Sequence, residues 1–171
     1  GIGTKVDSRK AVKYIKKAAD LKNDKGLFNY GLYLLYGKGV LKNEKESVKY
    51  FKMAAELGNV RGMFQYACML NFGMGIKRNV EESVKYYKKA IDYGYSDAML
   101  NLGAMYQDGS LNNDEEQAEK YIKMAADLGN DLAMLSYGIT LIQKVFNDDN
   151  DLYGVKKLLK KANKYLKEAA N

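Results

Sequence analysis

The residues best able to do chemistry in this 171-residue chain are its carboxylates and its one thiol, because the sequence contains no histidine. Without histidine, Ser-His-Asp catalysis, Cys-His catalysis and the His-containing zinc sites cannot be built in their usual form. The composition does not exclude a catalytic pair of acids like that of glycosidases, but such a pair needs two carboxylates that face each other in a pocket. The acids mostly stand at predicted helix starts, so the sequence favours a protein that is not an enzyme.

Other motifs are typical of ligand sites but stand in the wrong context. Gly37-x-Gly39 and Gly73-x-Gly75 follow no strand and complete no phosphate-loop pattern, so they predict helix ends. The acidic run 148–151 lacks the glycine and the distal glutamate of an EF-hand loop, and we expect a solvated loop there. Cys68 lies inside an apolar run and is predicted to be an inert core thiol. The sequence therefore predicts neither a cofactor nor a metal site.

The elements that carry these residues recur at a nearly fixed spacing. Copies start at Gly26, Gly62 and Ala98, each 36 residues after the one before, and a fourth starts at Ala133, 35 residues further on. Each copy has an apolar run, a Gly-containing turn, an acidic helix start and an amphipathic stripe. A period of this length is typical of one two-element unit stacked on the next.

Each copy is predicted to be an antiparallel helical hairpin. Its first helix is apolar on nearly all sides. Its second helix begins with a capping box: the side chain of the cap residue accepts from a free backbone N–H, and the acid or amide three residues later reaches back to the N–H of the cap residue. The capping pairs are Asn43/Glu46, Asn79/Glu82 and Asp114/Gln117. Small residues at matched positions let the two helices approach closely: Gly31, Ala67, Gly103 and Gly138 in the first, and Ala54, Ala90, Ala125 and Ala169 in the second.

The spacing of residues within one copy resembles a known repeat pattern. The matching residues are Ala98, Leu102, Gly103, Tyr106, Gly109, Asp114, Ala118, Tyr121, Ala125, Ala126 and Gly129, and another copy adds Gly37, Gly39 and Val40. This pattern is similar to that of the Sel-one-like repeat, a relative of the tetratricopeptide repeat, over nearly the whole chain. The resemblance implies an all-α, right-handed α-solenoid of antiparallel helix-turn-helix repeats, with the first helices lining its concave side.

We predict a single solenoid domain that spans the chain. Its parts are a half repeat at 1–25, repeats at 26–61, 62–97 and 98–132, and a divergent repeat or cap at 133–171. The half repeat lacks its first helix, which favours a piece of a longer array over a lone capping helix. Its unpaired apolar face also offers a surface for self-association.

Candidate partner-binding residues share one face of the first helices. Aromatic side chains are efficient anchors, and amides can pair with both N–H and C=O groups of a bound chain. Most apolar side chains of these helices are predicted to be core, and the matched amides are equally consistent with bonds between adjacent helices. The candidates are therefore the helix ends, the face centre and the polar row: Asn29, Leu32, Tyr36, Gln65, Phe72, Asn101, Asp108, Ser136 and Gln143.

The distribution of charge bears on the class of partner. The chain carries a net charge of +7, yet the first helices contain no Lys or Arg over 26–36, 62–72, 98–108 and 133–143. Phosphate binding needs Lys and Arg on one track, whereas here they lie on second helices and turns, mixed with Glu. A solvated basic surface is favoured over a nucleic-acid site. The same absence argues against the lysine clamp by which tetratricopeptide repeats hold a terminal carboxylate.

The predicted function is a non-catalytic adaptor or scaffold that binds a peptide or helix of a partner protein in the concave groove. Two alternatives stay open, namely a basic solenoid that contacts nucleic acid through its outer helices and an enzyme with a carboxylate pair. No stretch is apolar and long enough to span a membrane. The one cysteine cannot form an internal disulfide, so we expect a reducing compartment, the cytoplasm or the nucleus.

Overall fold

The computed structural model describes residues 8–147 and 152–170, and within these ranges every regular element is an α-helix, as predicted. The helices are α1 (Ser8–Asp20), α2 (Asp24–Tyr36), α3 (Glu44–Glu56), α4 (Val60–Phe72), α5 (Val80–Asp92), α6 (Ser96–Gln107), α7 (Glu115–Asp127), α8 (Asp131–Asn147) and α9 (Leu152–Ala169). The chain divides into two compact units, Gly1–Tyr93 with α1 to α5 and Gly94–Asn171 with α6 to α9. Within each unit, every helix packs on the helix that follows it along the chain.

The core of the first unit is built from one stripe on each helix. The predicted stripe of α3 is buried throughout: Ser47, Val48, Phe51, Ala54 and Ala55. On α1, Val12 and Ala19 are buried in a cluster with Leu27, Tyr30 and Leu34 of α2. Part of the apolar face of the half repeat is therefore covered by α2.

Matched small residues bring the two helices of a hairpin together, as predicted. A Cβ atom added to Gly31 would lie 2.7 Å from the ring of Phe51, and one added to Gly103 would lie 2.8 Å from Cγ1 of Ile122. Both distances are shorter than a van der Waals contact. The glycines therefore set how closely α2 approaches α3 and α6 approaches α7.

The predicted capping box forms only in part. Oδ1 of Asn43 accepts from the backbone N–H of Glu46 at 3.0 Å, and the Asn79 cap repeats this bond on α5. The Glu46 carboxylate accepts instead from the side-chain amide of Asn43 at 3.2 Å. The backbone N–H of Asn43 donates to the carbonyl of Leu34 at 2.8 Å, and that of Asn79 donates to Leu70 at 3.0 Å. The prediction that the acid accepts from the backbone N–H of the cap residue was wrong, because the turn folds back onto the preceding helix and that N–H donates to a carbonyl there.

Tyrosine pairs fasten the first helix of a hairpin to the second. Three pairs meet edge to face, with ring centroids 4.7 to 5.0 Å apart: Tyr30/Tyr50, Tyr66/Tyr86 and Tyr137/Tyr165. In the third copy Leu102 stands at this register, and Tyr106, one turn further on, stacks on Tyr121 at 5.9 Å. The contact between aromatic rings is thus kept by a shift of one turn along α6.

Asparagines at the starts of the first helices join neighbouring repeats within each unit. The side-chain amide of Asn59, which caps α4, donates to Asp24 at the start of α2 at 2.8 Å. In the second unit the amide of Asn130 donates to Asp97 of α6 at 2.7 Å. These bonds hold successive first helices side by side at their N-terminal ends, and so align the faces that carry the candidate residues.

Candidate partner-binding surface

In the first unit, the candidate residues lie on one face of α2 and of α4, and none of them is buried. Tyr36 and Phe72, which end the two helices, are 60% and 65% exposed. Asn29 is exposed, and Leu32 and Gln65 are half-buried. We call these five residues the α2–α4 face. It offers aromatic side chains at one end and amides toward the other.

Basic groups stand at the C-terminal end of the α2–α4 face, although the helices themselves carry none there. Nζ of Lys38, in the turn after α2, lies 5.5 Å from the ring centroid of Tyr36. Nε of Arg78 donates to the backbone carbonyl of Asn71 at 2.9 Å, in the last turn of α4. Cations at these positions interact favourably with the C-terminal ends of the helix dipoles. The aromatic end of the face is therefore not free of positive charge.

On α6 of the second unit, the candidate positions are more polar. Asn101 is half-buried, and Ala104 and Asp108 are exposed on the same face. The carboxylate of Asp108 accepts from the backbone N–H of Ser110 at 2.8 Å, which is an Asx-turn that shapes the connection after α6. Asp108 therefore has a structural role in the turn after α6.

An exposed apolar stripe on α8 is the largest feature that the sequence did not predict. Leu132 and Phe146 are 68% and 81% exposed, and Leu135 and Ile139 between them are exposed as well. Spacings of three, four and seven residues place all of them on one side of a helix. The opposite side, with Tyr137 as its largest buried residue, packs into the unit. We call Leu132, Leu135, Ile139 and Phe146 the α8 stripe.

The two candidates on α8 border this stripe. Ser136 is half-buried and Gln143 is exposed, and the helical repeat places both beside Ile139. The sequence of the fourth copy has extra residues at 144–151, and the structure continues α8 into them through Asn147. This extension carries Phe146. The signal in the sequence was the continuation of the apolar spacing beyond Gln143.

A cleft of about 560 Å³ lies beside Gln143 in the second unit and bears on the enzyme alternative. Its lining includes Glu115, Glu116 and Glu119, so carboxylates do share one cleft. Nζ of Lys144 donates to the Glu119 carboxylate at 2.6 Å. Glu115 and Glu116 are exposed, whereas a general acid is tuned by a desolvated pocket. The cleft thus holds an ion pair and two solvated acids.

The remaining chemical candidates have structural roles or lie outside the described residues. Cys68 is buried, as predicted, and the hydroxyl of Tyr87 lies 3.3 Å from its sulfur atom. The acidic run 148–151 falls outside the described ranges. In residues 8–147 and 152–170, no group of His, Cys, Asp and Glu side chains is arranged to hold a metal ion. Over the same residues, no helix has the length and apolarity needed to cross a membrane.

The repeating hairpins, their glycine contacts and their capped second helices match one family. The model of the Sel1 repeat matches residues 1–23, 24–59, 60–95, 96–130 and 149–171. The chain belongs to the Sel1 repeat family. Helix α8, at Asp131–Asn147, lies between the last two matched segments.

Solved structures support the same fold. A Sel1 repeat protein from Oxalobacter formigenes is 29% identical with a TM-score of 0.81, over 95% of this chain and 66% of that one. Helicobacter pylori cysteine rich protein B is 28% identical with a TM-score of 0.56, over 78% of this chain and 97% of that one. The protective antigen c5321 of uropathogenic Escherichia coli strains, which displays the SLR fold, is 20% identical with a TM-score of 0.76, over 92% of this chain and 34% of that one.

These similarities define the class of protein. The chain spans about two thirds and one third of the lengths of the Oxalobacter and Escherichia coli proteins, at 66% and 34%. No curated protein matches the sequence. Sel1 repeat proteins generally mediate protein–protein interactions, and their fold is typically a non-catalytic scaffold.

Proposed function

We propose that this chain is a non-catalytic adaptor that binds an amphipathic helix of a partner protein on the exposed faces of its first helices. The observation that carries the proposal is the α8 stripe, four large apolar side chains left in water on one side of a helix. Exposed apolar patches that are bordered by polar residues are typical of protein interaction sites. Ser136 and Gln143 supply such a border.

The geometry of the stripe favours a helical partner. From Leu132 to Phe146 it spans 14 residue steps, which is about 21 Å along the axis of α8. A partner helix with apolar residues at positions i, i+3 or i+4, and i+7 presents a row of the same length and spacing. A strand would need an exposed sheet edge, and the described ranges contain helices only.

The α2–α4 face supports the same function in the first unit. Tyr36 and Phe72 are exposed aromatic side chains at matched positions, and aromatic residues are frequent hot spots of binding energy. Asn29 and Gln65 add amides that can bond to the backbone or side chains of a bound segment. Each face would bind its own segment of the partner. We also propose an intracellular location, in the cytoplasm or nucleus, because the one cysteine forms no disulfide within the described chain.

A peptide selection tests the proposal and does not require that the partner be identified first. A phage-displayed library of helical peptides is selected on the intact chain, and the affinity of a selected peptide is measured by calorimetry. Replacing Tyr36, Phe72 and Asn101 together by alanine should weaken binding at least about tenfold wherever the peptide uses these positions. The matched control replaces Tyr14, Tyr93 and Asn112, which are exposed outside the faces, by alanine and should change affinity less than about twofold.

The pattern of losses decides the outcome. Selected peptides should share apolar residues at helical spacing, and circular dichroism should show the same helicity for both triple variants. A further variant changes Leu135 and Ile139 to aspartate. If the selected peptides bind this variant and both triple variants as tightly as they bind the parent chain, neither face is the binding surface.

A further inference from the structure

The positive charge of the second unit is concentrated on one outer helix, and in the first unit α1 is basic as well, with five Lys or Arg residues and one acid, Asp20. Helices α3 and α5 each carry three lysines and three acids, and α7 carries two lysines and four acids. Helix α9 carries six lysines and one acid, Glu168, which gives it a net charge of +5. The expectation that basic residues mix with Glu on every outer helix is therefore wrong for α9.

The lysines of α9 form one exposed stripe. Tyr153 and four lysines follow one another at spacings of four, three, four and three residues, which places them on one side of the helix: Tyr153, Lys157, Lys160, Lys164 and Lys167. All five side chains are exposed, and Lys156 stands exposed beside them. The opposite side of α9 contains the buried residues Ala162 and Tyr165. We call these five residues and Lys156 the α9 stripe.

Little on α9 neutralises this stripe. In the described part of the second unit, Glu168 lies 3.9 Å from Lys164, and both side chains are largely in water. The sixth lysine, Lys161, is turned inward and donates to the hydroxyl of Tyr137 at 2.8 Å. On α7, by contrast, Lys123 is paired with Asp127 on the same helix. The α9 stripe therefore presents excess positive charge to an approaching polyanion.

We propose that the α9 stripe binds single-stranded nucleic acid without sequence preference, its lysines contacting phosphates and Tyr153 stacking on a base. A track of positive charge with an exposed aromatic ring is the combination by which proteins hold single strands. This site lies on an outer helix and goes beyond the proposed function, since it shares no residue with the α8 stripe or the α2–α4 face.

Two features favour nucleic acid over other anionic partners. The apolar side of α9 packs inside the unit, where the hydroxyl of Tyr165 bonds Asp127, and an amphipathic helix must free that side to enter a membrane surface. Tyr153 is 76% exposed in line with the lysines, and its ring offers a surface on which a base can stack, a contact that an acidic peptide does not need.

Fluorescence anisotropy with labelled oligo(U) and oligo(dT) of about 20 nucleotides tests this site on the intact chain. Four or five contacted phosphates predict that log K falls with log salt at a slope of about −3 to −3.5. Changing Lys157, Lys160 and Lys164 to glutamine should weaken binding at least about tenfold. The control changes Lys45, Lys49 and Lys52, exposed on α3, to glutamine, which removes the same net charge and should leave affinity within about twofold.

The other arms of the experiment separate the competing explanations. Tyr153→Leu should weaken binding to single strands about five-fold or more and leave weak duplex binding unchanged, because only stacking is lost. The double variant of Leu135 and Ile139 to aspartate should bind oligonucleotides normally, which makes this result independent of the proposed function. The proposal is overturned by absent binding at low salt, by equal losses in the α3 control, or by binding to poly-glutamate or anionic vesicles in place of oligonucleotides.

Discussion

Replacing Gly75 by alanine tests how closely the turn between α4 and α5 packs on the start of α3. Gly75 has φ = +67°, and a Cβ atom added there would lie 2.5 Å from the carbonyl carbon of Glu44 and 2.8 Å from the nitrogen of Lys45. The left-handed conformation costs an alanine about 1–2 kcal/mol. Overlap with backbone atoms that must move adds about 1–3 kcal/mol. We expect Gly75→Ala to lower the free energy of unfolding by about 2–5 kcal/mol.

A second glycine of the same unit provides the matched control. Gly58 has φ = +86°, and nothing lies within 4 Å of a Cβ atom added there. Gly58→Ala should therefore cost only the conformational term of about 1–2 kcal/mol. Urea unfolding followed by circular dichroism and tyrosine fluorescence measures both variants against the parent chain. Equal losses at the two glycines would refute the packing of this turn on Glu44, since both share the same backbone strain.

Two further changes test individual side chains. Oδ1 of Asn71 is buried without a hydrogen-bond partner in the described part of the chain, and the preceding repeat has the buried Leu35 at this position. Asn71→Leu should thus raise the free energy of unfolding by about 1–2 kcal/mol in urea titrations; a loss would show that the amide is needed. Burial raises the pKa of Asp127, but bonds from Lys123 and Tyr165 outweigh it and hold that pKa below its usual value. The ionised carboxylate of Asp127 therefore stabilises the fold at pH values above its ordinary pKa, and this stabilisation is lost as pH falls. Tyr165→Phe should make the decline in the free energy of unfolding between roughly pH 5 and pH 2 less steep. An unchanged decline would contradict the bond between Tyr165 and Asp127.

The sequence was sufficient for the hairpins because each depends on local rules that repeat. Asn43 and Asn79 cap their helices as the spacing predicts, and Gly37 ends α2 in the left-handed conformation. Gly31 lies against Phe51 because only a residue without Cβ fits at that approach. These features follow from residue type and period, and the side-chain caps recur in three copies.

Features that depend on the surface between elements could not be predicted in this way. Leu135 and Ile139 have the same character as buried first-helix residues, and only the packed structure shows that their side of α8 is left in water. The helical extension that carries Phe146 has no counterpart in the other copies. The charge excess of α9 is visible in the sequence, but its concentration on one exposed stripe required the helix bounds and the burial of Tyr165.

The affinity of a selected helical peptide for two single variants tests the central claim most directly. Ile139→Asp places a charge in the middle of the α8 stripe, and Leu41→Asp makes the same kind of change at an exposed leucine outside every first helix. We predict that Ile139→Asp weakens the peptide at least about tenfold and that Leu41→Asp leaves its affinity within about twofold. Equal affinity of the peptide for both variants and the parent chain would contradict the assignment of the exposed first-helix faces as the binding surface.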